Sequence, residues 1–475
     1  MRKQDFALEV QELLKLYAAH PQVTALDTLL KNDTSRNIFL KGLNGSGPAM
    51  TIASLFTKGR GSYVCVLNDQ EEAGYFYHDL MQLTASNEVY FFPSAYRRAI
   101  KYGHVDPANE ILRTEVLSRL QDPDASFVIV TYPDALAERV VAREVLKENT
   151  LKISVGEKLD NMFVSDVLDE YGFEQVDYVY EPGQYALRGS ILDVFSFSNE
   201  FPYRIDFFGD EVETIRTFDV ETQLSKEKLD SIYIVPEMSK NAMDSTSLLG
   251  SLPRNTCIAA RDLAWCKERI GSVWNDDPVV ADEESFADID QMRKKLVRGE
   301  DFLREVLDFR RIHFGARPMG TADATIHFST QTQPIYHKNF DRVSESFHKY
   351  LDEGYTLYIL SDQEKQANRI RMIFEDRGDN IPFTAVNRTI HEGFADDTLR
   401  ICFFTDHQLF DRFHKFNLKS DKARSGKITL SLKELNQFSQ GDYIVHIDHG
   451  VGQFGGLVRT EVNGKMQEAI KLIYQ

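Results

Sequence analysis

The sequence predicts an α/β multidomain chain. A parallel-sheet α/β domain comes first, a mainly antiparallel α+β domain second, a further α/β domain later and a short β module last. Three observations carry this reading. Apolar strands alternate with helical periodicity over residues 1–150. Period-two alternation crowded with aromatics replaces it over Lys152–Val235. A basic stretch, Arg412–Lys433, then separates the last α/β texture from the terminal strands.

Residues 1–18 space their apolar side chains among charges at helical intervals. Asn37–Lys41 is a short apolar strand that runs into a glycine-rich turn, and residues 51–58 follow as a helix. Tyr63–Leu67, Val89–Phe92 and Phe127–Thr131 are further buried strands. Helices Glu71–Leu83 and Asn109–Leu120 lie between them, as a parallel sheet requires. From Lys152 the turns recur quickly, at Glu181-Pro-Gly-Gln, Ser198-Asn-Glu and Gly209-Asp-Glu. Tyr178, Tyr180, Tyr185, Phe195, Phe197, Tyr203, Phe207 and Phe208 crowd this segment, the mark of an antiparallel sheet with most of its aromatics in the core. Gly183 and Gly189 fall where turns are expected.

A polar stretch covers 236–256, and helical periodicity is expected from there to about residue 312. Strands Tyr355–Ser361 and Leu399–Thr405 flank helix Gln363–Arg377 in the second α/β region. Tyr443–Ile447, Leu457–Val462 and Glu468–Tyr474 form the terminal strands, with Asn463-Gly464 as a hairpin turn. The boundaries read as 1–150, 151–236, 237–324, 325–410, a basic linker at 411–436 and the β module at 437–475.

The formal charge of −18 over 475 residues argues against a general coat on DNA, because phosphate binding needs a local excess of Lys and Arg. Protein partners are the better default. Cys65, Cys257, Cys266 and Cys402 fit neither a disulfide framework nor a CxxC metal site and read as buried, reduced thiols. No apolar run approaches the roughly 18 residues that span a bilayer, so a cytoplasmic, monomeric protein is expected.

The glycine turn has the frame of a phosphate-binding loop without its chemistry. Gly42, Gly45 and Gly47 follow a strand and precede a helix. Pro48 stands where a lysine would neutralise phosphate, and it removes a backbone donor. Ala49 stands where a hydroxyl would hold magnesium. Asp282-Glu283 resembles an acidic metal partner by letters but follows no buried strand. No nucleotide, metal or other cofactor is expected in this chain, and no catalytic residue is assigned.

The segment from Gly172 to Asp219 reads GFEQVDYVYEPGQYALRGSILDVFSFSNEFPYRIDFFGDEVETIRTFD. It closely resembles the second domain of the excision-repair helicase UvrB and its counterpart in the bacterial transcription-repair coupling factors. The altered glycine turn favours the latter, because UvrB keeps an intact Lys-Thr there. UvrB also carries a long aromatic DNA-binding hairpin, where this chain has only the stretch from Pro93 to Gly103. Gly441-Asp-Tyr-Ile-Val-His-Ile-Asp-His-Gly-Val-Gly-Gln-Phe-Gly-Gly resembles the CarD-type, Tudor-like module by which coupling factors bind RNA polymerase.

The resemblance implies that the antiparallel domain is inserted into a degenerate UvrB-like α/β domain. It implies UvrA and the RNA polymerase β subunit as partners. It also implies that Arg188, Arg204 and Phe208 contact UvrA. Leu457, Arg459, Thr460 and Val462 are the candidates for pairing with polymerase through an edge strand. Coupling factors continue into an ATP- and magnesium-dependent DNA translocase and a C-terminal domain that covers the UvrA surface at rest, so a fragment of a longer protein is expected, with DNA contacted mainly by the motor.

Two other readings stay open on the residues themselves. One is a P-loop NTPase using residues 42–49, and the other is a module that binds damaged DNA directly. His446, Asp448 and His449 suggest a metal set by type, but a hydrogen-bonded strand-to-turn cluster is the simpler reading. Arg204 has an alternative too, an ion pair with Asp206 or Glu211 on its own sheet. Asp193 and Asp206 read as structural partners rather than acid–base groups.

Overall fold

Short strands of three to five residues, most of them buried, build the central sheet. The computed structural model describes residues 9–474 except 33–34, 60, 96–106, 123, 198, 200, 221, 237–244, 276–292, 380, 413–415, 417–440, 447–449 and 463–464. Its seven-stranded sheet runs Ala324–His327, Asn37–Lys41, Arg310–His313, Cys257–Ala260, Tyr63–Val66, Val128–Thr131, Val89–Phe91. Every neighbouring pair is parallel. Strands from residues 37–131 therefore interleave with strands from residues 257–327, and the chain between them is an excursion from one sheet.

Several expectations need correction here. Helical periodicity does not continue through 256–312. Cys257–Ala260 and Arg310–His313 are central strands with helices Leu263–Asn275 and Gly299–Val306 between them. Cys257-Ile-Ala-Ala carries two alanines, which favour helix, and Arg310-Arg-Ile-His opens on two arginines, so neither reads as the apolar run of a buried strand. Ala324–His327 pairs with Asn37–Lys41, so the boundary read at 325 falls inside a strand of the central sheet. The helix after the glycine turn starts at Gly47, not 51, with Pro48 in its first turn, where a missing N–H costs nothing. A second N-terminal helix, Pro21–Lys31, begins at the His20 cap.

The excursion forms a six-stranded sheet, ordered Ser225–Leu229, Glu211–Phe218, Tyr203–Phe208, Ile191–Val194, Gln184–Arg188, Glu174–Gln175. Its pairs are antiparallel except the last. One face packs Tyr185, Leu192, Ile205 and Phe207 against Val164 and Leu168 of helix Asn161–Glu170. On the other face a small cluster of Ala186, Phe195 and Phe218 meets Ile111 of helix Pro107–Arg119.

A mixed five-stranded sheet follows, ordered Thr330–Thr332, Phe394–Asp396, Ile401–Thr405, Thr356–Leu360, Thr384–Val386. Phe394, Ile401 and Phe403 join the central core, while Phe347, Ile359, Phe374 and Phe404 form a core of their own. His20 and Asp396, both fully buried, meet at 3.1 Å and tie the N-terminal helices to this sheet. Residues 421–475 form a separate unit with a three-stranded antiparallel sheet, Tyr443–His446, Gly450–Val462 and Lys465–Ile473.

Candidate protein-docking sites

Alternation along Tyr203–Phe208 places Tyr203, Ile205 and Phe207 in the core, and Arg204, Asp206 and Phe208 on the opposite face. Register carries that face across the sheet. Arg204 lies opposite Asp193 on one side and Arg216 on the other. Arg216 lies opposite Lys228. Ala186, opposite Asp193, brings Arg188 onto the same face two residues later. Arg188, Arg204 and Phe208 are therefore brought together on one surface.

Asp193 is the hub of that surface. Its side chain is fully buried and accepts from Arg188 Nη2, from Arg204 Nε at 2.7 Å and from Arg204 Nη2 at 2.9 Å. Arg204 also donates to the Gln223 carbonyl and Oε1, each at 3.2 Å, and lies 4.2 Å over the Phe218 ring. The Asp193 carboxylate raises the Arg204 pKa. The expected alternative partners, Asp206 and Glu211, are not used by Arg204. Asp193 wins because it stands directly opposite on the adjacent strand.

Asp206 instead accepts from Arg216 and from Thr214 Oγ1. Arg188 donates to the Asp177 carbonyl at 2.7 Å and lies 5.0 Å over Tyr178. Phe208 is 78% exposed. The face thus combines an exposed aromatic with guanidiniums that outnumber their carboxylates, the composition of an interface anchor. Sequence reading missed Arg216, although its period-two spacing from Phe218 and Thr214 was the available signal.

The crowded aromatics divide as their faces require. Tyr185, Phe195, Phe197, Tyr203 and Phe207 are buried, whereas Tyr178 and Tyr180 are more than half exposed. Gly183 and Gly189 both adopt positive φ, +86° and +65°.

At the glycine turn, Gly42 and Gly45 also adopt positive φ. Backbone donors at Asn44, Ser46 and Gly47 of this turn are spent inside the protein. Ser46 N donates to Glu392 O at 3.0 Å, and Glu392 N returns a bond to Ser46 Oγ at 3.0 Å. Asn44 N donates to Thr330 Oγ1 at 2.8 Å. A Cβ on Gly45 would stand 2.9 Å from the Gly393 carbonyl, so the two segments touch.

Beside them lies a cleft of about 320 Å³, lined by Asp69, Glu71, Glu72, Asp79 and Glu392 with Arg261 and His391. Asp79 accepts from His391 N at 2.6 Å, yet burial pushes its pKa up to about 7. Burial also lowers His391 to about 4, and its ring stacks on Tyr75 at 3.6 Å. Nothing local in the sequence announces the Ser46–Glu392 contact, because 346 residues separate the partners.

In the terminal unit, Leu457, Arg459, Thr460 and Val462 lie on strand Gly450–Val462, opposite Ile470, Glu468, Gln467 and Lys465. Their side chains lie outside the described residues. The strand is longer than expected. Its first part pairs with Tyr443–His446, so it is the middle strand by order. Phe454 still exchanges backbone bonds with Gly441 and Asp442, and beyond it pairing among the described residues is with Lys465–Ile473. Asp448, His449, the Asn463-Gly464 turn, Asp282-Glu283, residues 96–103 and nearly all of the basic linker lie outside the described residues. Among the described residues no set of three His, Cys, Asp or Glu side chains is arranged to hold a metal, and no helix is long and apolar enough to cross a membrane.

Comparison with known proteins agrees with this layout. Residues 151–239 match the UvrB interaction domain, and residues 438–475 match the CarD-like/TRCF RID domain. The chain is 23% identical to the transcription-repair-coupling factor of Staphylococcus aureus (strain bovine RF122 / ET3-1), over 95% of this chain and 46% of that protein. It is 23% identical to the transcription-repair-coupling factor of Bacillus subtilis (strain 168), over 92% of this chain and 43% of that protein. The chain spans less than half the length of these relatives. With both domains matched along a similarity that covers almost all of its residues, the chain is similar to the transcription-repair coupling factors.

Proposed function

We propose that this chain acts in transcription-coupled excision repair as a docking arm, recruiting UvrA through its six-stranded sheet and RNA polymerase through its terminal β module. The observation that carries the proposal is the gathering of Arg188, Arg204 and Phe208 on one face of the sheet, with Phe208 exposed, in the segment that matches the UvrB interaction domain. The partner's matching surface would offer carboxylates to the guanidiniums and an apolar seat for Phe208. Polymerase docking through a Tudor-like module rests on the match over 438–475, and the side of strand Gly450–Val462 that has no strand partner beyond Phe454 among the described residues suits strand addition. ATP-driven translocation belongs, on this proposal, to the parts of the relatives that this chain does not cover.

We further read the glycine turn as a degenerate phosphate loop that serves as a joint. Its donor at Ser46 is taken by Glu392, and the adjacent cleft is acidic, which repels phosphate. These features argue against nucleotide binding at this turn.

Calorimetric titration of UvrA into the chain tests the proposal. Binding in the micromolar range or tighter is expected, with loss in a folded Arg188→Glu/Phe208→Ser variant. No heat from the unmodified chain would refute UvrA recruitment.

A further inference from the structure

Helix Gln70–Thr84 carries a glycine near its middle, at Gly74. Glycine weakens a helix interior, and this one keeps helical backbone, so no turn requires it. Space requires it. A Cβ built on Gly74 would stand within 2.7 Å of three ring carbons of Phe416. The missing side chain is a notch, and the Phe416 ring fills it. The same ring meets Tyr75 edge-on, with centroids 5.0 Å apart and planes at 80°. Tyr75 in turn stacks on His391 at 3.6 Å and 14°. Phe416 is partly buried and packs against the central core.

The pieces of this seat come from different parts of the first unit. Helix Gln70–Thr84 packs into the core of the seven-stranded sheet. His391 precedes Glu392, which bonds the glycine turn. Phe416 lies beyond helix Asp406–Leu409 and beyond Phe410, which is buried in the separate core of the five-stranded sheet. The chain between Phe410 and Phe416 therefore leads from one core to the other. The first unit ends soon afterwards, at Ser420, and the sequence goes on to the terminal β module.

We propose that Phe416 is an anchor, which by seating in the Gly74 notch straps the five-stranded sheet to helix Gln70–Thr84 and fixes where the chain leaves the first unit for the terminal module. Two features favour an anchor over incidental packing. The helix gives up a better helix former at position 74, and the Phe416 ring is what uses the room. The Tyr75–His391 stack supplies an aromatic wall beside the notch. The tether of the terminal module is then counted from Phe416 and not from Phe410, which shortens its reach. The inference goes beyond the docking function proposed above and does not depend on what the terminal module binds.

The test is a double-mutant cycle on the full chain, read by thermal melting, with limited trypsin digestion as the second readout. Gly74→Ala should expel the ring. In a Phe416→Ala background the notch is empty, and Gly74→Ala should raise the melting temperature because alanine favours helix. In the parent the same change should raise it less, or lower it, because the seat is lost with it. Cleavage after Lys415, followed by mass spectrometry of the peptide that begins at Phe416, should be severalfold faster in Gly74→Ala and in Phe416→Ala than in the parent. Equal effects of Gly74→Ala in the two backgrounds would overturn the inference, since the ring and the notch would then not act together. Parent-like cleavage in both single variants would overturn it as well, since the chain would then be held there without Phe416.

Discussion

Arg188 and Arg204 both bond Asp193, yet their removal should have different consequences. Arg204 gives two bonds to the fully buried carboxylate, and its side chain is 16% exposed. Truncating it leaves a buried charge with a single partner, so Arg204→Ala should destabilise the six-stranded domain by about 3 kcal/mol. Arg188 is 35% exposed on the same hub, and Arg188→Ala should cost about 1 kcal/mol or less. Denaturant melts of the two variants check the ranking. Equal losses would mean that Asp193 does not depend chiefly on Arg204. The same contrast explains why Arg188 and Phe208 are the better probes of docking, since Arg204 variants confound recognition with folding.

Asp79 carries a pH signature. Its folded pKa of about 7 lies above the ordinary carboxylate value, so the folded chain binds this proton more tightly than the unfolded chain. Stability from Asp79 is full below pH 4 and is lost as pH rises toward 7. His391, lowered to about 4, acts in the opposite direction over pH 4–6.5 and masks the effect in the parent. Asp79→Asn removes only the first contribution. Relative to the parent, that variant should gain stability as pH rises from 4 to 7, at up to about 1.4 kcal/mol per pH unit. A parent-minus-variant difference that is flat with pH would refute this.

At the scale of elements, the glycine turn and the His391–Gly393 segment form one joint between the seven-stranded and five-stranded sheets. The loop retains a turn shape that glycine makes possible, with Gly45 at φ +52° against the Gly393 and Glu392 carbonyls. Restoring the missing letters should not restore the site. Pro48→Lys/Ala49→Thr is expected to show no saturable binding of magnesium–ATP at millimolar concentration, because Ser46 N already has an acceptor and the cleft carries carboxylates. A fluorescent nucleotide titration checks this, and saturable binding by the double variant would show that the letters alone had been lost. The elements that periodicity located well were the amphipathic ones. Helix Gln70–Thr84 falls almost where the sequence puts it, since it presents different chemistry to its two sides, and Tyr203–Phe208 shows the two-residue alternation read over Lys152–Val235. Cys257–Ala260 reads Cys-Ile-Ala-Ala, whose alanines favour helix, so it reads as part of a helical region.

At the scale of the whole molecule, all four cysteines lie buried in strands or helices of the first unit. Burial pushes the Cys257 thiol up to about 12, and the other three are raised as well. None should react with a thiol reagent at neutral pH while the chain is folded, and all four should react on unfolding. A folded sample that titrates one or more thiols within minutes would contradict that arrangement.

The sequence by itself determined the α/β texture of the chain, the aromatic antiparallel segment and the altered glycine turn. Each of these depends on local chemistry, either the two-residue period of a strand or the residue types at a fixed spacing. Only the tertiary structure decided that residues 37–131 and 257–327 share one parallel sheet, that Asp193 holds both arginines and that Glu392 fills the glycine turn. Those outcomes rest on which strands become neighbours and which buried donors find acceptors. These are choices among partners up to hundreds of residues apart, and no local pattern encodes them.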